Sequence, residues 1–384
     1  MFFPLLATKS PQPARFPPFG FDRRLRRGYN MKKGGGTTED STLLQALPGA
    51  LLPWYRLHAR TLPWRQDREP YHVWLSEIML QQTRVEAVKG YYARFLQELP
   101  NIASLAAADP DRLNKLWEGL GYYSRVRNLQ TAARQIMEQF GGRFPSRIED
   151  IRSLKGVGDY TAGAIASICF DLPEPAVDGN VLRVVSRITE EFRPVTDAAV
   201  RREITCALRQ IYPPEHCGEF TQSLMELGAT VCVPNGAPDC DNCPVRSFCR
   251  AGAADTWRQL PVKAAKKERR QEKLTVFVLC CDGAYAVRKR PSGGLLAGLW
   301  EFPNVPGHLS AQEALTQAER WGVHPRQLLK QLNRTHIFTH VQWDMRCWYF
   351  QCAKKPPDFV WVQAAQLQTR IALPTAFRMF REPE

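Results

Sequence analysis

No run of eighteen consecutive apolar residues occurs in the 384-residue chain, so no segment reads as a membrane-spanning helix. Acids are scarce: 38 Asp and Glu against 52 Lys and Arg leave a formal net charge of +14. That excess points to a polyanionic partner, nucleic acid first and an anionic membrane surface second. A secretory leader is also lacking, so the eleven cysteines read as free thiols or metal ligands in a reducing cytosol, not as disulfides. What is present is ordinary for a globular protein, 44% hydrophobic and 23% charged. The length suits two or three domains.

Residues 1–42 stand apart in composition. They are rich in Pro, Gly and Arg, including Arg23-Arg24-Leu25-Arg26-Arg27 and Gly34-Gly35-Gly36, and are expected to be a disordered basic extension. It is either a transit peptide or the product of an upstream start, with Met31 as the true beginning. Over 43–231 the apolar spacing is helical: Val73, Trp74, Ile78, Met79 and Val85 form one set, and Leu113, Leu116 and Trp117 another. Turn signals such as Leu62-Pro63, Asp109-Pro110 and Gly141-Gly142 punctuate roughly ten short helices. A cysteine loop over 232–254 and a basic linker over 255–273 follow. From 274 to 384 strand-like runs appear at Thr275–Leu279, Trp343–Phe350 and Phe359–Val362, with a helix-like segment near Ala311–Trp321. The expected fold class is multidomain: an all-α domain with a cysteine loop, then an α+β domain.

Two fragments carry chemistry. In Leu154-Lys155-Gly156-Val157-Gly158-Asp159-Tyr160 the glycines permit a tight turn, and the next helix starts at once. Its free N–H groups would face outward at the positive end of a helix dipole, where a phosphate binds. Gly-x-Gly alone is also an ordinary interhelical turn; the full string resembles the helix-hairpin-helix of DNA repair glycosylases. The second fragment is a carboxylate pair. Asp178, in Val177-Asp178-Gly179-Asn180, opens an amphipathic helix whose dipole and N–H groups favour its ionised form, though a plain N-cap explains it equally. Glu77 is the only acid in the apolar stretch Trp74–Leu80, where burial should raise its pKa. A neutral acid to protonate a departing base and an anion to stabilise an oxocarbenium ion are what N-glycosidic cleavage needs.

Together with Leu62-Pro63-Trp64-Arg65, Ser76–Thr83 and Trp117-Glu118-Gly119-Leu120-Gly121-Tyr122-Tyr123-Ser124-Arg125, these fragments resemble the adenine DNA glycosylase family, in that family's order, over about residues 45 to 370. The resemblance implies that Glu77 protonates adenine at N7 and later activates water. By the same resemblance Asp178 stabilises or traps the sugar cation, and Asn180 and Tyr160 assist near the sugar. Trp64, Leu62, Arg60, Arg65 and Gln222 would surround the extruded adenine. Gln82, Leu120 and Tyr122 would wedge into the duplex, with Thr83, Gly121, Lys155, Gly156, Val157 and Gly158 as further DNA contacts. Relatives that also cut the strand carry a lysine where Tyr160 stands. A phenol forms no Schiff base, so a monofunctional enzyme is expected.

Cys232, Cys240, Cys243 and Cys249 form C-x7-C-x2-C-x5-C, with a single C-x2-C pair where zinc ribbons show two. The arrangement is similar to the [4Fe–4S] loop of endonuclease III-like glycosylases, with seven residues in the first gap against the usual six; zinc or loss of the cluster is the alternative. The other seven cysteines are expected to be buried thiols.

In the C-terminal part, Arg288-Lys289-Arg290-Pro291 and Gly294–Pro303 resemble Nudix-type domains, but most of the metal-binding acids such hydrolases need are missing before Gly322. The resemblance implies a domain that binds, reading 8-oxoguanine through Phe338-Thr339-His340, where the family has Phe-Ser-His. Thr339 keeps the hydroxyl and adds a methyl. The expected partner is duplex DNA holding A opposite 8-oxoguanine or G. The chain is expected to be a monomer without membrane contact, at the nucleoid of a bacterial cytoplasm. A bifunctional glycosylase/lyase, a non-catalytic lesion binder and a nucleotide pyrophosphohydrolase are the competing readings; Tyr160, the Glu77–Asp178 pair and the missing acids argue against each in turn.

Overall fold

A computed structural model describes residues 38–264 and 268–381. Residues 1–37 of the expected extension, and Lys266 and Lys267 of the linker, lie outside the described residues. The chain is already helical from Thr38, so the extension cannot reach to 42 as expected.

Twelve α-helices, against the roughly ten expected, run from Thr38–Gln45 to Cys217–Thr230. The excess arises where one apolar period is cut in two. Val73 to Met79 belong to the helix Pro70–Leu80, but Val85 opens the next, Val85–Glu98. Gln82, at φ 59°, turns the chain between them. Trp117 likewise caps the helix Pro110–Leu116 rather than lying in it.

The helices bury two separate cores. One gathers Trp74, Phe95, Trp117, Leu129 and Ile165 from the middle of the domain. The other gathers Leu47, Leu51, Val185, Phe220 and Leu227 from its first helices and its last. Glu77 stands on an element of the first core, and Asp178 heads the helix Gly179–Thr189 of the second. The crevice between the cores therefore brings residues a hundred positions apart face to face.

The C-terminal part is a mixed sheet. Its strands are β1 (Arg270–Cys281), β2 (Ala284–Lys289), β3 (Trp300–Glu301), β4 (Asn304–Pro306), β5 (Pro325–Ile337), β6 (Val341–Cys352) and β7 (Val360–Gln363). The order is β3-β2-β1-β6-β5, with β4 on β1 and β7 on β2. β1 and β6 are parallel, with Val276 opposite Cys347. Alternation along β1 sends Val276 and Val278 to one face and Phe277 and Leu279 to the other, each with its own core. The helix Ala311–Arg320 covers the second face through Ala314 and Ala318. β1 starts at Arg270, so the last residues of the expected linker are strand.

The two parts meet through Leu299, buried in the first helical core with Leu296 against it, and through several polar contacts. Lys115 Nζ donates to the Ile371 carbonyl (3.1 Å), the Leu373 N–H to Glu118 Oε1 (3.0 Å), and Arg127 Nη1 to the Ala297 carbonyl (2.9 Å). Lys289 pairs with Asp111 at 2.8 Å. Among the described residues no helix is long and apolar enough to cross a membrane.

Candidate active site

A cavity of about 500 Å³ opens in the crevice. Its walls include Glu77, Tyr160, Asp178 and Asn180, and also Arg60, Leu62, Trp64, Arg65, Gln82, Thr83 and Gln222. Glu77 is only 6% exposed. Burial pushes its carboxyl up to about 7, against a lowering hydrogen bond from Tyr160; Asp178 raises it further and Arg65 lowers it. The Tyr160 hydroxyl donates to Glu77 Oε2 at 2.7 Å, and burial raises that phenol well above its ordinary value.

Asp178 is the N-cap of Gly179–Thr189. Its Oδ1 accepts from the N–H groups of Asn180 and Val181, both at 2.8 Å, and its Oδ2 from Asn180 Nδ2, also at 2.8 Å. Asn180 is fixed in turn by Arg183, whose Nη2 donates to Asn180 Oδ1 at 2.9 Å. Gly228 packs against it, since a Cβ there would come within 2.8 Å of Asn180 Cβ. The carboxylate is thus aimed by backbone and side chain together, and the plain capping role and a place in the cavity coexist.

Arg60 and Arg65 reach the cavity as a pair, joined by a residue the sequence reading missed. Glu226, fully buried on Cys217–Thr230, binds Arg60 at 2.6 Å and Arg65 at 2.7 Å. Burial alone would raise its carboxyl, but the two guanidinium groups hold it below its ordinary value. Its signal was available: like Glu77, it is a lone acid among apolar neighbours, Leu224, Met225 and Leu227. Gln222 Oε1 accepts from the hydroxyl of Tyr55, a second residue that was missed. A third is Arg125, buried, whose guanidinium donates to the carbonyls of Ile78, Gln81, Leu120 and Gly121. It ties the end of the Glu77 helix to the loop expected to wedge into DNA.

That loop corrects one expectation. Leu120 is 5% exposed and packs in the first helical core, so it presents no wedge. Positive φ at Gly119, Gly121 and Tyr122 turns the loop so that Leu120 points in and Tyr122, 48% exposed, points out. Gln82 is exposed as well, and both outward residues hold a left-handed backbone.

In the hairpin, Gly156 at φ 80° sits so close to Asn128 that a Cβ would come within 2.6 Å. Within the turn itself, Lys155 N–H donates to Gln135 Oε1 and Val157 N–H to the Leu154 carbonyl. Val157 is buried, while Lys155, Gly156 and Gly158 are exposed. The helix Asp159–Phe170 begins at Gly158 without a side-chain cap, which leaves its first amides to an outside acceptor.

Cys232, Cys240, Cys243 and Cys249 line one small cavity together with Arg187 and Trp257. Arg187 Nη1 stands 3.2 Å from Cys232 Sγ. Burial pushes the Cys243 thiol up to about 12 and raises Cys249 too, and neighbouring cysteines add to both shifts. Burial thus disfavours bare thiolates at Cys243 and Cys249, and four cysteines around one cavity match the donor chemistry of an iron–sulfur cluster. Among the described residues no three or more His, Cys, Asp or Glu are gathered as around a single metal ion; the thiols are spaced around the shared cavity. Of the other cysteines, Cys217, Cys281, Cys347 and Cys352 are buried and Cys169 and Cys280 partly so. Cys206 is exposed, against expectation, on the outer face of Ala198–Ile211.

Phe338, Thr339 and His340 form the tight turn between β5 and β6, where the Phe338 N–H donates to the Val341 carbonyl at 2.8 Å. Phe338 packs edge-on between His336 and Trp343, and Thr339 and His340 are exposed. On the helix Ala311–Arg320, Glu313 is spent on a capping box with Ser310.

A helical domain with a hairpin and a buried Glu facing an Asp across a cavity defines a class, base excision DNA repair proteins of the HhH-GPD superfamily, whose model matches residues 75–208. A NUDIX domain model matches residues 275–382. The adenine DNA glycosylase of Mus musculus is 36% identical over 398 residues, covering 86% of this chain and 77% of its own length. That of Homo sapiens is 38% identical over 363 residues, covering 79% and 66%. The chain belongs to the adenine DNA glycosylase family. Among solved structures, a thermostable thymine-DNA glycosylase superposes with a TM-score of 0.50 at 25% identity, covering 56% of this chain and 98% of its own.

Proposed function

We propose that the chain is a DNA repair glycosylase that hydrolyses the N-glycosidic bond of adenine opposite 8-oxoguanine or G in duplex DNA, without cutting the strand. The observation that carries the reading is the shared cavity of Glu77 and Asp178, with the Glu77 carboxyl raised by burial to about 7 and bound to Tyr160.

The adenine, extruded from the stack, enters among Trp64, Leu62, Arg60, Arg65 and Gln222. Tyr160 occupies Oε2 of Glu77, which leaves Oε1 to carry the proton to N7 as the C–N bond breaks. Positive charge then grows on the sugar, and the Asp178 carboxylate, aimed by Asn180 and Val181, stabilises or traps it. Glu77, now ionised, accepts a proton from the water that completes hydrolysis. No amine stands where Tyr160 does, so no Schiff base forms and the phosphodiester survives.

Gln82, Thr83, Gly121, Tyr122 and the hairpin Lys155–Gly158 would hold the duplex, and Phe338, Thr339 and His340 would read the opposite base. Cys232, Cys240, Cys243 and Cys249 would hold a [4Fe–4S] cluster. When bound, it supplies the positive centre that four thiolates need and fixes the loop; no step of base release passes through it. The enzyme would work as a monomer at the nucleoid of a bacterial cytoplasm.

The test uses duplexes with A opposite 8-oxoguanine, sampled with and without alkali. Strand scission only after alkali is expected. Scission without alkali would instead mark a lyase, and binding without base loss would overturn the enzymatic reading.

A further inference from the structure

Glu226 takes no part in the steps above, yet its carboxylate is fully engaged. Oε1 accepts from Arg60 Nε at 2.6 Å and from the Arg60 N–H at 3.1 Å. Oε2 accepts from Arg60 Nη2 at 3.0 Å and Arg65 Nη2 at 2.7 Å. The side chain has no exposed surface. Withdrawing a carboxylate from water offsets most of what its ion pairs return, so such a group is a poor device for stability alone. Its position suggests another use. Arg60 and Arg65 begin and end a strap, residues 60–65, that also carries Leu62 and Trp64 into the cavity, while the helix of Glu226 carries Gln222 and Met225. Arg65 Nη1 donates to the Arg60 carbonyl at 3.2 Å, closing the strap on itself, and its guanidinium lies over the Tyr55 ring.

We propose that Glu226 is a positioning residue of the base pocket: by clamping Arg60 and Arg65 it holds the strap, with Leu62 and Trp64, in the geometry that receives the extruded purine. The inference rests on the glycosylase reading above.

Glu226→Gln keeps the side chain's shape but turns one acceptor oxygen into an N–H donor facing a guanidinium. Single-turnover release of adenine opposite 8-oxoguanine is expected to fall about tenfold or more, the scale of a lost buried charge-assisted hydrogen bond. The Kd for the same duplex stays unchanged. Glu226→Asp restores part of the rate. In an Arg65→Met background Glu226→Gln costs less than it does in the wild type, because one of the two clamped guanidinium groups is already gone while Arg60 keeps its share. Independently of turnover, ¹⁵N-arginine NMR of the wild-type chain, assigned through Arg60→Met and Arg65→Met, should show slow rotation of the Arg60 and Arg65 guanidinium groups, lost for both in Glu226→Gln. A folded Glu226→Gln variant with the wild-type rate, or a loss that adds fully to that of Arg65→Met, overturns the proposal. If circular dichroism shows Glu226→Gln unfolded, Arg60→Met and Arg65→Met carry the test, and unaltered base release in both overturns it. A wild-type chain inert on every adenine duplex sinks the glycosylase reading instead. The guanidinium signals then decide the clamp, their persistence in Glu226→Gln overturning it.

Discussion

The Tyr160 hydroxyl donates to Glu77 Oε2 at 2.7 Å, and that bond partly offsets the rise that burial gives the carboxyl. Burial raises Glu77 to about 7 even though the phenol pulls it down. An acid that must be protonated works below its pKa, so base release should be fast under mildly acidic conditions and decline as pH rises through about 7. Removing the phenol removes the lowering influence. In Tyr160→Phe the declining limb should move to higher pH, even if the maximal rate drops. Single-turnover rates from pH 5 to 9 check this, and a limb unmoved or moved downwards would refute the coupling.

The same burial has a cost in stability. A carboxyl whose folded value lies above its unfolded one contributes stability below the unfolded value, about 4.5, and that contribution is lost as pH rises through about 7. Glu77→Gln never ionises. At pH 8 it should be more stable than wild type by on the order of 3 kcal/mol, and no more stable at pH 4. Base release should fall by a factor of at least about 10² with duplex binding retained. Denaturant melts at the two pH values, beside a glycosylase assay, measure both effects. Equal stabilisation at pH 4 and pH 8 would argue against an ionisable Glu77.

How far the site could be read in sequence depends on the kind of signal. Glu77 announced itself because one acid in an apolar stretch must be either paired or chemically used, and Asp178 because Asp before a helix caps it. Glu226 carries the signal of Glu77, but its arginine partners lie more than 160 positions away, and only folding shows that they fill it. Leu120 misled because its motif implies a loop, whereas the direction of a side chain in a loop follows from φ at Gly119, Gly121 and Tyr122. β5 left no apolar alternation because it is an edge strand with most residues exposed, so Gln327, Lys330, Asn333 and Arg334 are tolerated along it. The two-core layout that makes the crevice has no local signature at all.

The hairpin and the charge excess lead to a salt prediction. Each phosphate neutralised by a cation releases counterions, so the logarithm of duplex affinity should fall linearly with the logarithm of salt. Lys155 is exposed on the hairpin. Lys155→Gln should lower the slope by about one unit and weaken all duplexes alike, whatever the opposing base. Fluorescence anisotropy across a salt series gives the slope, and an unaltered one would remove Lys155 from the phosphate contacts.

The four-thiol cavity should yield a brown protein with about four irons and four sulfides per chain. Cys243, the thiol that burial raises to about 12, gives the sharpest variant, because serine there removes one of the four sulfurs that would hold the cluster. Cys243→Ser should lose iron and colour and melt at lower temperature. A colourless wild-type protein carrying one zinc per chain would replace the cluster with a different centre.

Across the domain interface, Tyr122 Oη and Thr339 Oγ1 stand 3.0 Å apart, so the outward aromatic of the helical domain and the turn expected to read the opposite base share one hydroxyl contact. A hydroxyl held by a tyrosine is pre-oriented, and a base placed between them would exchange that contact for its own. Thr339→Ala removes the hydroxyl, and should reduce the preference for A opposite 8-oxoguanine over A opposite G by about fivefold to tenfold. Thr339→Ser keeps the hydroxyl and should retain the preference. Tyr122→Phe frees the threonine without removing it, so it should weaken binding to both duplexes while leaving their ratio closer to wild type. Competitive single-turnover assays on the two duplexes resolve the three cases. Equal ratios in Thr339→Ala and Thr339→Ser would mean that the turn, and not its hydroxyl, does the reading.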